Sequence, residues 1–307
     1  MKLIRTLSAA SADTPAVALA IGNFDGLHRG HQALINAVLA RGPALVPALM
    51  CFEPLPATLF RPDVPLPRLM SVRDRLRVCR RLGVQRVFMP RFNRAFAALS
   101  PEEFVSRAIV AAAKAKLVVV GADFRFGARA AGDAGLLERL GRQHGFAVEV
   151  IEPVRHQADK ISSSQIRALL AAGDIQPAAN LLGHPYTISG RVLRGQQLGR
   201  RLGFPTVNLR PPRPPALAGV FAVRVSGSGL EAQAGVANLG RRPTVAGTDW
   251  LLEAHLFDFA GDLYGRHLEV EFVARLRAEE KYDSLDALVE QMNRDADHAR
   301  RLLAAPV

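Results

Sequence analysis

The stretch "IGNFDGLHRGHQALI", residues 21–35, decides the fold of the first half of this 307-residue chain. A short, continuous apolar run at residues 16–22 leads into it, which is the pattern of a buried strand. In "HQALINAVLARG", which begins inside the stretch, apolar residues recur at helical spacing, with Gly42 as the expected end of the helix. The quoted residues are therefore predicted to form a glycine-rich turn between a strand and a helix.

Strand and helix patterns continue to alternate as far as about residue 150. Short apolar runs predict strands, and amphipathic segments predict helices, one of which opens with the helix start Ser-Pro-Glu-Glu at residues 100–103. Such alternation indicates an α/β fold with a parallel sheet that is covered on both faces. The predicted strands are 16–22, 44–52, 84–90, 116–121 and 146–152, and the predicted helices are 31–42, 71–83, 100–113 and 134–145.

The pattern changes near residues 180–186. Short alternating stretches separated by Gly and Pro follow, and they predict a small β-barrel or sandwich. A final helix comes after them, with Ser284 as its candidate N-cap and Asp286 in its first turn. We therefore expect two domains, residues 1–183 and residues 184–307.

The composition favours a cytoplasmic protein with an anionic ligand. The net charge is +12, nearly all of it in residues 1–183. Basic and aromatic residues are not interleaved, so we do not expect a nucleic-acid-binding module. The longest early apolar run, residues 16–24, is too short to span a bilayer and lacks the flanks of a signal peptide, so neither feature is expected. Cys51 and Cys79 lie far apart in apolar surroundings and are expected to be buried thiols.

His28 and His31 are the candidate functional residues of the quoted turn. Ligands of a parallel α/β sheet bind beyond the carboxyl ends of the strands, where this turn is expected to lie. The start of a helix offers unpaired N–H groups that attract phosphate, and the glycines allow a close approach. The two imidazoles are three residues apart and can donate hydrogen bonds to the same anion. A structural turn with two surface histidines, or a metal site with Asp25 as the other ligand, are the alternatives.

A family resemblance favours the anion site. "GNFDGLHRGH", residues 22–31, resembles the HxGH signature of the nucleotidylyltransferase superfamily and, with Gly-Asn-Phe-Asp ahead, the FAD synthetase module of bacterial bifunctional riboflavin kinase/FMN adenylyltransferases. The resemblance continues through "FEPLPATLFRPDVPLPRLMSVRDRL", "VVVGADFRFGARAAGD" and "ISSSQIRALLAAGDI". It implies a Rossmann-like nucleotidylyltransferase domain in which His28, His31 and Arg167 are catalytic. The residues that it implies for nucleotide or flavin binding are Gly22, Asn23, Phe24, Asp25, Asp123, Arg125, Ser162, Ser163 and Ser164.

Two positions depart from the family pattern. Ser164 stands where relatives often have Thr, which keeps the hydroxyl group, and Leu55 stands where many have His, which leaves position 55 without an implied role. Residue chemistry by itself leaves structural alternatives open. The serines can cap the next helix, and Asp123 and Arg125 can be a paired acid and base in a turn.

The second half carries a second resemblance. "GRVLRGQQLGRRLGFPTVNL", residues 190–209, resembles the flavokinase signature, with Pro-Thr-Val-Asn at its core where the family usually has Pro-Thr-Ala-Asn. Side chains two apart on a strand share a face, so Thr206 and Asn208 point together and Val207 points toward packing. A hydroxyl and an amide oxygen suit Mg²⁺ that carries ATP phosphates. The resemblance implies a flavokinase-like β-barrel with a terminal helix. The residues that it implies for ATP or flavin binding are Gly190, Gly195, Gly199, Phe204 and Pro205.

Glu253 is the candidate base of the second half. "LLEAHLFDF", residues 251–259, alternates, so Glu253, His255 and Phe257 share a strand face. Alternation by itself is typical of an exposed strand face. The resemblance implies that Glu253 takes a proton in the kinase reaction.

The resemblance implies two reactions: riboflavin and ATP give FMN and ADP, and FMN and ATP give FAD and pyrophosphate. The first nucleophile is an unionised alcohol, which needs a carboxylate to take its proton. The second is the anionic FMN phosphate, which needs charge cancellation and in-line positioning. The implied partners are ATP, riboflavin, FMN and Mg²⁺, with no prediction of oligomeric state. An adenylyltransferase for pantetheine phosphate or nicotinamide mononucleotide, the main alternative, leaves residues 184–307 without a role.

Overall fold

The fold is described from a computed structural model of the chain. The residues that it describes are 1–195, 199, 202–244 and 247–304. Part of the stretch 190–209, which resembles the flavokinase signature, lies outside the described residues.

The chain folds into two compact units. Unit 1 comprises Met1–Leu66 and Val72–Ser162, and unit 2 comprises Pro67–Ser71 and Ser163–Val307. The main part of unit 2 therefore begins at Ser163, before the predicted domain boundary at residue 183. That boundary stays a prediction.

Unit 1 is built on a six-stranded sheet in which every pairing is parallel, which confirms the predicted α/β fold. The strands are β1 (Lys2–Ile4), β2 (Val17–Ile21), β3 (Val46–Met50), β4 (Arg86–Phe88), β5 (Ala115–Gly121) and β6 (Ala147–Ile151). Their order across the sheet is β1-β4-β3-β2-β5-β6. All five side chains of β2 are buried, as expected for an apolar strand with both faces covered.

The chain reverses its direction of travel across this sheet at β2. Strands β3 and β4 lie on one side of β2, and β5 and β6 lie on the other. In open parallel sheets the ligand crevice lies at the carboxyl ends of the strands where this reversal occurs. The loops that follow β2 and β5, which carry "GNFD" and "GADF", therefore flank the expected crevice.

Unit 1 has the four predicted helices with changed bounds, together with two short helices, over residues 56–60 and 94–97, that were not predicted. In chain order the helices are α1 (Arg29–Leu39), α2 (Pro56–Phe60), α3 (Val72–Arg81), α4 (Arg94–Ala97), α5 (Pro101–Phe104) and α6 (Ala134–His144). Helix α1 ends three residues before Gly42, so the predicted end was wrong. The N–H of Ala40 closes the helix on the Asn36 carbonyl, and the chain then turns toward Pro43, which has no N–H to continue it.

The segment after Ser100 begins as predicted and then departs from α-helical geometry. Ser100 and Glu103 form a reciprocal capping box at the start of α5. The chain continues as a π-helix over Val105–Ala112, a change that local propensity does not indicate. A two-stranded hairpin, β7 (Arg155–His156) with β8 (Asp159–Lys160), was also not predicted.

Unit 2 contains a second six-stranded sheet, in which every pairing is antiparallel. The strands are β9 (Thr187–Arg191), β10 (Thr206–Leu209), β11 (Gly219–Gly227), β12 (Leu230–Thr244), β13 (Gly247–Leu256) and β14 (His267–Arg277). Their order is β10-β13-β12-β11-β14-β9. The Leu193 N–H, just after β9, donates to the Asn208 carbonyl at 2.8 Å and joins the two edges. The sheet is therefore curled into a half-barrel, in agreement with the predicted β-barrel class.

The helices in the described residues of unit 2 include α7 (Ser163–Ala172), α8 (Ile175–Leu182) and α9 (Leu285–Ala304). The terminal helix and its cap are confirmed, since Ser284 Oγ accepts the N–H of Ala287 at 3.1 Å. Helix α9 packs Ala296, Ala299 and Leu303 against the sheet, where they contact a cluster that includes Phe257.

Cys51 and Cys79 are both buried free thiols, as predicted. Burial raises the pKa of Cys79 to about 12, so this thiol is unreactive at neutral pH.

Within the described ranges, no helix has the length and apolar character to cross a membrane.

Candidate active sites

The loop after β2 holds its backbone in an unusual conformation. Phe24 (φ 51°), Gly26 (φ 85°) and Leu27 (φ 47°) all lie in the left-handed region. For Phe24 and Leu27 this conformation costs about 1 kcal/mol or more each. Both side chains are completely buried, and their burial offsets the strain. The loop is thus held in one shape, with Asp25 buried and Asn23 exposed.

His28 and His31 lie together at the start of α1. His28 is the N-cap residue, and its Nδ1 accepts the backbone N–H of His31 at 3.3 Å. The two rings are stacked with centroids 3.6 Å apart, and His31 also contacts the Phe24 ring at 5.1 Å. Because Nδ1 of His28 accepts, its ring proton belongs on Nε2, where it can be donated to a ligand.

Burial holds the pKa of His31 well below its usual 6.5, and the neighbouring His28 and Arg75 lower it further. The ring is therefore neutral at physiological pH, so it can serve as a hydrogen-bond donor but not as a fixed cation. Its Nδ1 is buried and has no hydrogen-bond partner in the described part of the chain.

Arg75 of α3 supports the loop from beneath, and sequence reasoning missed it. Its side chain is 2% exposed. Nη1 donates to the Asn23 carbonyl at 2.9 Å, and Nη2 pairs with Glu53 at 3.2 Å. Its position in the amphipathic helix, four residues before the buried Cys79, is the sequence signal that could have indicated that Arg75 is buried.

Asp123 and Arg125 follow β5, at the same edge of the sheet as the loop after β2. The alternative that Asp123 and Arg125 pair with each other in a turn is wrong, because each pairs with another residue. Asp123 forms an ion pair with Lys160, whose hydrogen bond holds the pKa of Asp123 below its usual range. Arg125 pairs with Asp133 at 3.4 Å, and Asp133 in turn caps α6. All of these side chains are exposed and remain accessible from solvent.

The remaining residues predicted for the first site belong to the segment around α7. Helix α7 begins at Ser163, so Ser162 stands at the N-cap position, and Ser164 and Arg167 lie within the helix. The Nε of Arg167 donates to the Pro67 carbonyl at 2.7 Å. Ser162 is assigned to unit 1, whereas α7 and Pro67 are both assigned to unit 2.

Unit 2 has a cavity of about 290 Å³ beside its sheet. One wall is the sheet, and the other is formed by helix α9 with the segment before it. The polar and charged side chains that line it are Thr206, Asn238, Arg242, Glu253, His255, Arg277, Glu279, Glu280, Tyr282 and Asp295.

Strand register brings the predicted kinase residues onto one face. Thr206 lies opposite His255 and Asn208 lies opposite Glu253, and directly paired residues of antiparallel strands share a face. Thr206 lines the cavity, while Asn208 is 7% exposed. Val207, on the opposite face, is only half-buried.

Of the other residues predicted to bind ATP or flavin in the second half, some line the cavity and some do not. Phe204 is buried against the His255 ring, with centroids 5.1 Å apart. The Pro205 carbonyl lies 2.9 Å from Nδ1 of His255. Gly199 lines the cavity, whereas Gly190 lies within β9 and does not. Gly195 packs so closely on Asn208 that a Cβ there would lie 2.7 Å from the amide nitrogen.

Glu253 faces this cavity and is bound to an arginine that sequence reasoning also missed. Its Oε2 accepts from Nη2 of Arg242 at 2.7 Å. The side chain of Glu253 is 29% exposed, so one carboxylate oxygen can meet a ligand while the other holds the arginine.

Thr206, which lines the cavity, and Asn208, two residues further on the same strand face, are the residues that could hold a magnesium ion. Thr206 and Asn208 offer neutral oxygens, which are hard ligands. Across the described residues, no group of three or more His, Cys, Asp and Glu side chains is placed to hold a metal ion.

Comparison with known proteins adds independent findings. The FAD synthetase family model matches residues 10–165, and the riboflavin kinase family model matches residues 182–303. The bifunctional riboflavin kinase/FMN adenylyltransferase of Escherichia coli strain K12 is 43% identical over 307 residues, covering 98% of this chain and 97% of the relative. The protein of the same description from Pseudomonas fluorescens is 43% identical over 311 residues, covering 100% and 99%.

A solved structure extends the similarity to the fold. The crystal structure described as a macrolide-efflux protein from Streptococcus pneumoniae aligns with a TM-score of 0.82 and 31% identity. The alignment covers 97% of this chain and 98% of that one.

Proposed function

The chain belongs to the family of bifunctional riboflavin kinase/FMN adenylyltransferases, and we propose how its residues share the two reactions. It phosphorylates riboflavin with ATP and joins the resulting FMN to the adenylyl group of a second ATP. The riboflavin kinase match lies at residues 182–303 and the FAD synthetase match at residues 10–165, so the two chemistries use separate sites.

The kinase reaction is assigned to the cavity of unit 2, with Glu253 as the base. The primary alcohol of riboflavin is unionised at neutral pH and must lose a proton as it attacks the γ-phosphorus of ATP. Glu253 takes that proton, the new O–P bond forms FMN, and ADP leaves with the electron pair of the broken bond. The single observation that carries this assignment is that Glu253 faces the 290 Å³ cavity on the same sheet face as Thr206.

Thr206 and Asn208 are assigned to the Mg²⁺ that accompanies ATP in the kinase reaction. Mg²⁺, when bound, neutralises phosphate charge, and the two neutral oxygens of the protein add no negative charge beside the phosphates. Gly199, Phe204 and Pro205 flank the same cavity or the residues that line it, and are assigned to the nucleotide or flavin, as are Gly190 and Gly195.

The adenylylation reaction is assigned to the loop after β2 and the start of α1. The FMN phosphate is already anionic, so the reaction requires charge cancellation on ATP and not a base. His28 and His31 donate hydrogen bonds to ATP phosphate oxygens, and pyrophosphate leaves. Arg125 and Arg167 are the assigned cationic contacts.

The other residues that the sequence predicts for the first site are assigned as binding contacts for ATP or flavin. Gly22, Asn23 and Phe24 present backbone, the three serines offer hydroxyls, and Asp25 and Asp123 offer carboxylates. The proposed partners are ATP, riboflavin and FMN, with no nucleic acid. The proposed location is the cytoplasm, where ATP is available.

Two substitutions test the division of labour. The purified chain is supplied with riboflavin, ATP and Mg²⁺, and flavins are separated by chromatography. Glu253→Gln is expected to lower FMN formation by about 100-fold or more while conversion of added FMN to FAD stays within twofold of the unmodified chain. His28→Ala is expected to do the reverse. Equal loss of both activities in either variant contradicts the assignment.

A further inference from the structure

Arg242 links two carboxylates at the kinase cavity. Its Nη2 donates to Oε2 of Glu253 at 2.7 Å, and its Nη1 lies 3.5 Å from Oε1 of Glu279. The same Glu279 oxygen accepts from Nδ2 of Asn238 at 3.1 Å. All four side chains line the cavity, and they form one connected network.

Gly240 provides the space in which this network assembles. Asn238, Gly240 and Arg242 are alternate residues of β12, so they share one face. A Cβ at Gly240 would lie 1.9 Å from Oε1 of Glu279, much closer than any real contact. The carboxylate of Glu279 therefore sits directly over Gly240, between Asn238 and Arg242, a position that any larger residue would deny it.

The network restrains the carboxylate that the kinase reaction uses. A glutamate has three rotatable side-chain bonds, and phosphoryl transfer depends on holding the reacting groups within a few tenths of an ångström. The planar guanidinium of Arg242 fixes the direction of its donors once Glu279 holds the other side. Only Oε2 of Glu253 is engaged by this contact, which leaves Oε1 to receive the proton of the alcohol.

We propose that Arg242 is a positioning residue for riboflavin phosphorylation: it orients Glu253, and Glu279 seated on Gly240 orients Arg242. The proposal rests on the assignment of Glu253 as the base. It concerns residues outside the Pro-Thr-Val-Asn core and predicts effects on kcat, because the base acts only once riboflavin is bound.

The test compares Arg242→Ala with Arg242→Lys and with the control Arg241→Ala. Arg241 is the next residue on the strand, but it is exposed and stacks on Trp250 at 5.3 Å. Arg242→Ala is expected to lower kcat for riboflavin phosphorylation by about 10- to 100-fold with KM for riboflavin changed less than threefold. Arg242→Lys is expected to recover part of the loss, and Arg241→Ala is expected to lose less than twofold.

A double-variant comparison separates positioning from general support of the fold. If Arg242 acts through Glu253, then Arg242→Ala is expected to cause no further loss when Glu253 is already Gln. Gly240→Ala, which displaces Glu279 without touching Arg242 or Glu253, is expected to lower kcat by about 3- to 10-fold with KM retained. It keeps the test decisive if Arg242→Ala folds poorly.

The outcomes distinguish this proposal from the assignment on which it rests. Full activity of Glu253→Gln would remove the base and with it the role of Arg242. Loss in Glu253→Gln, combined with normal kcat in Arg242→Ala or Gly240→Ala, would overturn only the role of Arg242. An equal further loss from Arg242→Ala in the Glu253→Gln background would also overturn it, since the arginine would then act independently.

Discussion

Replacing the buried Arg75 by Met tests whether the loop after β2 depends on support from beneath. The substitution keeps the length and the apolar stem of the side chain and removes its donors. The Asn23 carbonyl then loses a donor at 2.9 Å, and Glu53 loses its cation at 3.2 Å. Because Arg75 is 2% exposed, water does not take its place without rearrangement of the loop.

The expected loss of stability follows from these contacts. A hydrogen bond from a charged donor contributes about 1.5–3 kcal/mol. Glu53 is 21% exposed and regains some hydration, so the loss of its ion pair with Arg75 adds little. Relief from burying the guanidinium offsets part of the rest. We expect unit 1 to lose about 2 kcal/mol of unfolding free energy, which lowers its urea midpoint by about 1 M at an m value of about 2 kcal/mol per M.

The aromatic residues of the chain allow the two units to be followed separately. The single Trp and the three Tyr all belong to unit 2, so intrinsic fluorescence reports on unit 2 alone. Circular dichroism reports on both. Arg75→Met is expected to lower the urea midpoint of unit 1, which is seen by dichroism alone. The midpoint of unit 2, which is also seen by fluorescence, is expected to stay unchanged. It is also expected to lower FMN adenylylation by about tenfold while riboflavin phosphorylation is retained.

The neighbouring Arg73, exposed on the same helix, supplies the control as Arg73→Met. A control variant that behaves like Arg75→Met would show that the effect is general to the helix. An unchanged unit 1 midpoint with normal FAD synthesis in Arg75→Met would refute the reasoning.

Two further predictions concern charge and burial. The native His31 ring resists protonation while the unfolded chain takes up a proton near pH 6.5, so the stability of unit 1 is expected to fall by about 1 kcal/mol between pH 7.5 and 5.5. Urea midpoints at the two pH values check this, and His31→Gln should remove about that much of the difference; an unaltered difference counts against a buried neutral ring. Asp295→Ala leaves Arg277, which it binds through three contacts of 2.8–3.1 Å, without its buried partner. Unit 2 is expected to lose about 3 kcal/mol by Trp250 fluorescence, and a loss under 1 kcal/mol would mean that water replaces the pair.

Local pattern was sufficient for most of the architecture. The continuous apolar run of β2 requires a strand covered on both faces, and Ser100 and Ser284 supply the capping atoms within three residues of their targets. These features depend on periodicity and on neighbours in sequence, which a single chain displays directly. The π-helix after Phe104 was not predicted, because its hydrogen bonds depend on packing and not on propensity.

By itself, the sequence determined the two kinds of sheet, the strand-to-helix turn that carries His28 and His31, and the shared strand face of Thr206 and Asn208. Tertiary structure alone decided the partners of the charged residues. Arg75 reaches Asn23 across 52 positions, and Lys160, not Arg125, pairs with Asp123. The neutral state of His31 likewise comes from burial and neighbouring charge. Such pairings depend on which surfaces meet when the helices and strands pack, and the spacing of residues along the chain does not encode which surfaces these are.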